Sequence, residues 1–210
     1  MKLICFDCDR TLSSIEGIDE LARLRGPEAL AFVEALTEDA MNGRIPIEDI
    51  FARRLDLIRP GAREAAIVGR RYIEAVEPTA RGTIATMAAM GWTPVIVSGG
   101  FRQTIHPLAE FLGVSRVEAV DLYFTGDGTY RDYDRSYPST RTGGKREIIA
   151  SLRSELRPEK VVMVGDGMSD LETRPSVDLF VGFGGFVTRE RVRREAAAFV
   201  TSLAAVPALV

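Results

Sequence analysis

Lys2-Leu3-Ile4-Cys5-Phe6 runs directly into Asp7-Cys8-Asp9-Arg10-Thr11. Four apolar residues followed at once by two carboxylates and a hydroxyl read as a short buried strand that breaks into a polar loop. Three further runs repeat the pattern: Val95-Ile96-Val97 ends in Ser98-Gly99-Gly100, Val161-Val162-Met163-Val164 in Gly165-Asp166-Gly167, and Leu179-Phe180-Val181 in Gly182. Short continuous apolar runs suit strands covered on both faces of a parallel sheet. Helical patterns lie between them, from Thr83 to Met90, from Arg102 to Leu112 before Gly113, and from Lys145 to Leu156 before Pro158. Strands alternating with helices predict right-handed crossovers and an α/β fold with a doubly wound, Rossmann-like parallel sheet.

Two stretches stand apart. From Tyr123 to Tyr133, two aromatic-rich runs flank Gly126-Asp127-Gly128 and predict an appended β-hairpin. Residues 13–78 hold no convincing strand and are rich in Ala, Leu, Glu and Arg. Ile18, Leu21, Ala22 and Leu24 form one helical face, and further helices fit Pro27 to Met41, Pro46 to Ile58 and Ala62 to Glu74. Pro27 and Pro46 suit first-turn positions and Asn42-Gly43 a helix end. Residues 1–12 and 79–210 are therefore expected to form a catalytic core, and 13–78 a small helical insert.

Bulk composition narrows the classes. The 210 residues include 46% hydrophobic and 27% charged side chains, a globular balance. Thirty Asp and Glu against 27 Lys and Arg leave a net charge of −3, which argues against a nucleic-acid partner. No apolar run is long enough to span a membrane, and no export signal is read, so a soluble cytoplasmic protein is expected. Cys5 and Cys8 have redox spacing but sit on a strand and its loop, so they read as a buried residue and a spacer. The basic run Arg189, Arg191, Arg193 and Arg194 reads as an exposed helix face.

Ligands of parallel α/β sheets bind at the carboxyl ends of the strands. That edge collects Asp7, Asp9, Thr11, Ser98, Gly99, Gly100, Asp166 and Asp170, with Lys145 at the start of a helix. Clustered carboxylates repel, and a hard oxygen-seeking cation such as Mg²⁺ resolves this, with Asp7 and Asp166 the natural pair. With Mg²⁺ and Lys145 cancelling charge, the Asp7 carboxylate can attack a phosphate and form an acyl phosphate. Asp9, two residues on, can protonate the leaving alkoxide and later deprotonate a water. Ser98 and the Gly99 amide are expected where a helix begins, a favourable place for phosphate.

Other phosphatase chemistries lack their residues. His106 is the only histidine. A cysteine nucleophile needs an arginine at a fixed distance, where Thr11 and Ser14 stand. No Gly-x-Ser-x-Gly elbow surrounds Ser98, and a zinc site would need more His or Cys.

The residues resemble the haloacid dehalogenase superfamily. Asp7-Cys8-Asp9-Arg10-Thr11 is similar to its nucleophile motif, Ser98 to its second, Lys145 within Gly143-Gly144-Lys145 to its third, and Gly165-Asp166-Gly167-Met168-Ser169-Asp170 to its fourth. Over nearly the whole chain the resemblance is to the phosphoserine phosphatase family, through Glu16-Gly17-Ile18-Asp19-Glu20-Leu21-Ala22, Ser98-Gly99-Gly100-Phe101-Arg102 and Gly182-Phe183-Gly184-Gly185. It implies Asp7 as nucleophile and Asp9 as general acid/base. It also implies Mg²⁺ held by the Asp7 carboxylate, the Asp9 carbonyl and Asp166, with Asp170 supporting that shell. Glu16, Met41 and Arg54 would contact substrate from a helical cap, Arg54 forking a carboxylate and Glu16 facing an ammonium.

The leading expectation is thus a Mg²⁺-dependent phosphoserine phosphatase of serine biosynthesis. Its partner would be a small phosphomonoester, and monomer and homodimer both stay open. Arg10 stands where the family has Ser, Val120 where it often has Asn, and Asn42 where it has Gly. Arg10 and Val120 keep a phosphatase for another small phosphomonoester as an alternative. A non-enzymatic phospho-acceptor is the third, opposed by Asp9 and the cap.

Overall fold

Residues 1–210 are described by a computed structural model. Its strands are β1 (Lys2–Phe6), β2 (Trp92–Phe101), β3 (Arg116–Val120), β4 (Leu122–Phe124), β5 (Tyr130–Tyr133), β6 (Lys160–Gly165), β7 (Leu179–Phe183) and β8 (Ala198–Val200). Six of them form one parallel sheet in the order β3-β2-β1-β6-β7-β8. Alternation along β1 sends Ile4 and Phe6 to one face and Leu3 and Cys5 to the other, and both faces are covered. That double burial explains why the strand reads as an unbroken apolar run.

The nine α-helices are α1 (Gly17–Arg23), α2 (Pro27–Met41), α3 (Ile47–Ile58), α4 (Ala62–Glu74), α5 (Ala80–Ala89), α6 (Arg102–Leu112), α7 (Gly144–Leu156), α8 (Met168–Leu171) and α9 (Glu190–Glu195). Ile148, Ile149 and Leu152 of α7 cover one face of the sheet, while α5 and α6 cover the other. The first four helices follow β1 and precede α5, as the helical composition of that stretch predicts. On α3, Phe51, Leu55 and Ile58 fall on one buried side while Arg53, Asp56 and Leu57 face solvent. Each such apolar side chain contributes about 1.5–3 kcal/mol when fully buried, more than helix propensity supplies to so short a segment. Arg54 lies on that same buried side, only 5% exposed.

Three details differ from the sequence reading. Edge strands β3 and β8 were not anticipated, because Arg116 and Glu118 interrupt the apolar pattern and β8 has only three residues. β2 continues through Ser98, Gly99 and Gly100 to Phe101, so these residues belong to a strand and α6 starts only at Arg102. Pro46 caps α3 from outside instead of opening its first turn. The hairpin does form, from β4 and β5, with Gly128 at φ +84° in its loop.

At the start of α7 the backbone passes very close to the 3₁₀ turn Pro138–Thr140. A Cβ at Gly144 would lie 1.8 Å from the Pro138 carbonyl oxygen. Gly144→Ala must therefore move backbone, which costs about 1–3 kcal/mol. Urea denaturation should show that loss, and Lys145, the next residue, should carry it into the site as reduced turnover.

Candidate active site

The sheet order reverses at β1, whose neighbours are β2 and β6. A crevice opens at such a reversal, outside the carboxyl ends of the strands. Asp7 leaves β1 there, its amide donating to the Val164 carbonyl of β6 at 2.9 Å, and Asp166 leaves β6 alongside. Asp170, on the short helix that follows, completes the group. One carboxylate oxygen from each of Asp7, Asp166 and Asp170 lies within 4.8 Å of the others, and all three residues are buried. Gly165 makes this packing achievable, since a Cβ there would sit 2.3 Å from the Asp170 carboxyl carbon.

Lys145 holds the cluster from the opposite wall. Its Nζ donates to Asp7 Oδ1 and to Asp170 Oδ1, each at 2.6 Å. Burial disfavours its charge, but Asp170 and Asp7 outweigh this and hold the ammonium above its ordinary range. Burial and Asp170 push the Asp7 carboxyl up against the opposing pull of Lys145. Burial and Asp170 likewise push Asp166 up to about 7. Lys145 and Arg189, which bonds Asp166, are two cations against three ionisable carboxylates, which is the electrostatic condition for holding a divalent cation.

Asp9 faces a different environment. Its Oδ1 accepts a 2.7 Å bond from the Gly17 amide and a short bond from the Tyr72 hydroxyl, while Oδ2 accepts from Ser98 Oγ at 3.3 Å. Burial raises the Asp9 carboxyl, and these donors, Tyr72 foremost, oppose the rise. Ser98 is thereby corrected: its hydroxyl serves Asp9 and the Gly100 amide from inside β2, four residues before α6, and occupies no helix N-terminus.

The cavity above these groups is lined by Asp7, Asp9, Lys145, Asp166 and Gly99 on the core side and by Glu16, Met41 and Arg54 from the helical insert. Ser98 and Asp170 do not line it. Burial and Asp9 push the Glu16 carboxyl well above its ordinary value. Burial pulls Arg54 down to about 10, so it stays charged near neutrality. Its hydrogen bond runs from Nη1 to Thr37 Oγ1 at 3.1 Å, and its Nε is buried with no partner. Two departures noted in the sequence do not line this cavity, although Arg10 Nε lies 4.0 Å from Glu16 Oε2. Arg10 bends back in a left-handed conformation (φ 54°) to donate to the Ser14 carbonyl, and Val120 is fully buried in the apolar core. The third, Asn42, accepts a bond from Arg189.

Arg189 corrects the reading of the basic run as an exposed face. It is 7% exposed and precedes α9 at its N-cap, donating from Nε to Asp166 Oδ2 at 3.2 Å and from Nη1 to Glu38 Oε1 and Asn42 Oδ1 of the insert. Arg191, Arg193 and Arg194 are exposed as expected. Tyr72 was missed because it is one aromatic on a helical face. Arg189 was missed because it opens a run of like charges.

The family model for haloacid dehalogenase-like hydrolases matches residues 4–173. The chain belongs to that family. A phosphoserine phosphatase of Rattus norvegicus is 34% identical over 200 residues, spanning 94% of this chain and 88% of the relative. A phosphoserine phosphatase of Homo sapiens is 33% identical over the same shares. Among solved structures, a phospho-aspartyl intermediate analogue of phosphoserine phosphatase superposes with a TM-score of 0.85 at 25% identity, covering 100% of this chain and 98% of the other. A substrate-bound phosphoserine phosphatase complex gives 0.83 at 25% identity with the same coverage. As in the sequence reading, no helix is long and apolar enough to cross a membrane.

Arg189 joins the acidic cluster to the insert. Its bond to the buried Asp166 carboxylate outweighs its bond to the exposed Glu38, because only the former is shielded from water. Arg189→Met should therefore cost about 1.5–3 kcal/mol in chemical denaturation, and Glu38→Gln less than about 1 kcal/mol.

Proposed function

We propose that this hydrolase is a phosphoserine phosphatase, releasing L-serine and phosphate through an aspartyl-phosphate on Asp7. One observation carries the substrate: Arg54, a buried guanidinium with an unpartnered Nε, shares a cavity with Glu16 and with the Asp7–Lys145 pair. Phosphoserine bears a carboxylate, an ammonium and a phosphate, and these three surfaces complement the three groups one for one. The names of the relatives support the same substrate. Residues 13–78 act as the cap and the remainder as the catalytic core.

The donor set fits magnesium. Asp7, Asp166 and Asp170 offer hard carboxylate oxygens, and neither histidine nor thiolate belongs to the cluster. Asp7 and Asp166 would hold the ion together with the Asp9 main-chain carbonyl, and Asp170 would orient the shell through its bond to Lys145. When bound, magnesium offsets phosphate charge that would otherwise repel a carboxylate nucleophile.

The chain's own residues then divide the work. Lys145 holds Asp7 Oδ1, fixing the rotamer of the attacking carboxylate. An oxygen–phosphorus bond forms at Asp7 as the bond from phosphorus to the serine oxygen breaks. That oxygen takes its proton from the Asp9 carboxyl, which burial favours in the protonated form. In the second step Asp9 takes a proton from water, the water oxygen attacks phosphorus, and Asp7 leaves as a carboxylate. Tyr72, Gly17 and Ser98 anchor Asp9 throughout. Glu16 and Arg54 hold serine by its ammonium and carboxylate, and the closed insert limits the water reaching the phosphorus.

Phosphate release from a panel of phosphomonoesters, with Mg²⁺ or chelator, tests the reading. L-Phosphoserine should give the highest kcat/KM, and Asp7→Asn should lower it by more than about 10⁴-fold. Preference for another ester would reassign the pocket and keep the chemistry. Tyr72→Phe should lower the single-turnover rate of aspartyl-phosphate formation about ten-fold with phosphoserine but far less with p-nitrophenyl phosphate, whose leaving group needs no proton. Magnesium should also raise Tm more at pH 8 than at pH 5. Without the cation, the raised Asp166 carboxyl contributes stability that is present at low pH and lost as pH rises through about 7; the ion removes that loss.

A further inference from the structure

Arg54 has a support that reaches through the insert. Its Nη1 donates to Thr37 Oγ1 at 3.1 Å, and that hydroxyl donates to Asp19 Oδ1 at 3.2 Å. The direction of both bonds is forced. A guanidinium only donates and the ionised Asp19 carboxylate only accepts, so the single hydroxyl proton of Thr37 is committed to Asp19 and its lone pair is presented to Arg54. Asp19, Thr37 and Arg54 are respectively 6%, 4% and 5% exposed and come one each from α1, α2 and α3. The Phe51 ring, 5.6 Å from the guanidinium carbon, covers another side of the group.

From this geometry we infer that Asp19 and Thr37 are positioning residues, a relay that fixes the Arg54 fork toward the substrate carboxylate; this rests on the phosphoserine reading. A free arginine side chain has many rotamers, and ordering it on binding costs affinity. Holding one nitrogen from behind leaves the unpartnered Nε and the remaining N–H groups preset for a bidentate carboxylate. The relay thus acts on recognition of the carboxylate and leaves phosphoryl transfer at Asp7 untouched. It also explains two buried polar residues of the insert that the catalytic steps do not use.

The decisive experiment compares phosphoserine with phosphoethanolamine, which keeps the phosphate and the ammonium and lacks the carboxylate. Steady-state constants are measured for wild type, Thr37→Val, Thr37→Ser, Asp19→Ala and the Thr37→Val/Asp19→Ala pair. The expected result is a rise of about ten-fold in KM for phosphoserine with Thr37→Val, kcat changed by less than about two-fold, and phosphoethanolamine kinetics unchanged. Thr37→Ser should restore the wild-type KM. Asp19→Ala should reproduce the Thr37→Val signature, and the pair should be no worse than either single variant, as for members of one network. Equal losses on both substrates would mean a merely structural role and would overturn the relay. So would an unchanged phosphoserine KM in Thr37→Val when wild type strongly prefers phosphoserine. A wild type indifferent to the carboxylate would overturn the substrate reading and the relay with it.

Discussion

Three buried carboxylates at the β1/β6 crevice, two of them held by one lysine, are the constraint to which the rest of this molecule is fitted. The sheet order brings Asp7 and Asp166 to adjacent strand ends, and Gly165 lets Asp170 close in behind them. Little water reaches that charge, because these residues are at most 6% exposed and Asp7, Asp166 and Lys145 open only onto the cavity. Lys145 offsets part of it, and Arg189 offsets part at Asp166. What is left is an attractive field for a divalent cation. The same field forces Lys145 to stay charged, because neutralising it would expose Asp7 and Asp170 to each other.

Asp7 and Asp9 are two residues apart yet inhabit opposite electrostatic worlds. Asp7 is set among anions and a cation, Asp9 among neutral donors: a phenol, a hydroxyl and a backbone amide. Burial raises both carboxyls, so what separates them is their partners: Lys145 fixes Asp7, while neutral donors anchor Asp9. Tyr72 is central to this division. It comes from α4, 63 residues away in sequence, and its hydroxyl presses so close to Gly17 that a Cβ there would lie 2.0 Å from it. The setting of Asp9 in the core is therefore geometrically coupled to the helical insert.

Legibility in the sequence followed distance along the chain. The strand β1, the loop after it and the segment from Gly165 to Asp170 each carry their chemistry within a few residues, so pattern alone revealed them. The helices of the insert were readable for the same reason, through periodicity and through Pro27 and the Asn42-Gly43 stop. Ser98 was misplaced because glycines after a strand suggest a turn into a helix, whereas here the strand continues to Phe101. Arg189 and Tyr72 could not be read locally, since each acts through a partner more than 20 residues distant. The edge strands β3 and β8 stayed hidden because tertiary pairing, not composition, makes them strands.

Arg54 shows how function overrides local preference. On the buried side of α3, beside Phe51, Leu55 and Ile58, an apolar side chain would pack at no electrostatic cost. A guanidinium there loses hydration, recovers one hydrogen bond to Thr37, and leaves Nε unsatisfied. An orphaned buried N–H costs about 1–3 kcal/mol. A fold tolerates such a site where a ligand completes it, and the cavity beneath Arg54 opens onto Asp7, Lys145 and Asp166. On the phosphoserine reading, the energy withheld from the stability of the insert is available as affinity for the substrate carboxylate while the phosphate of the same small molecule reaches Asp7.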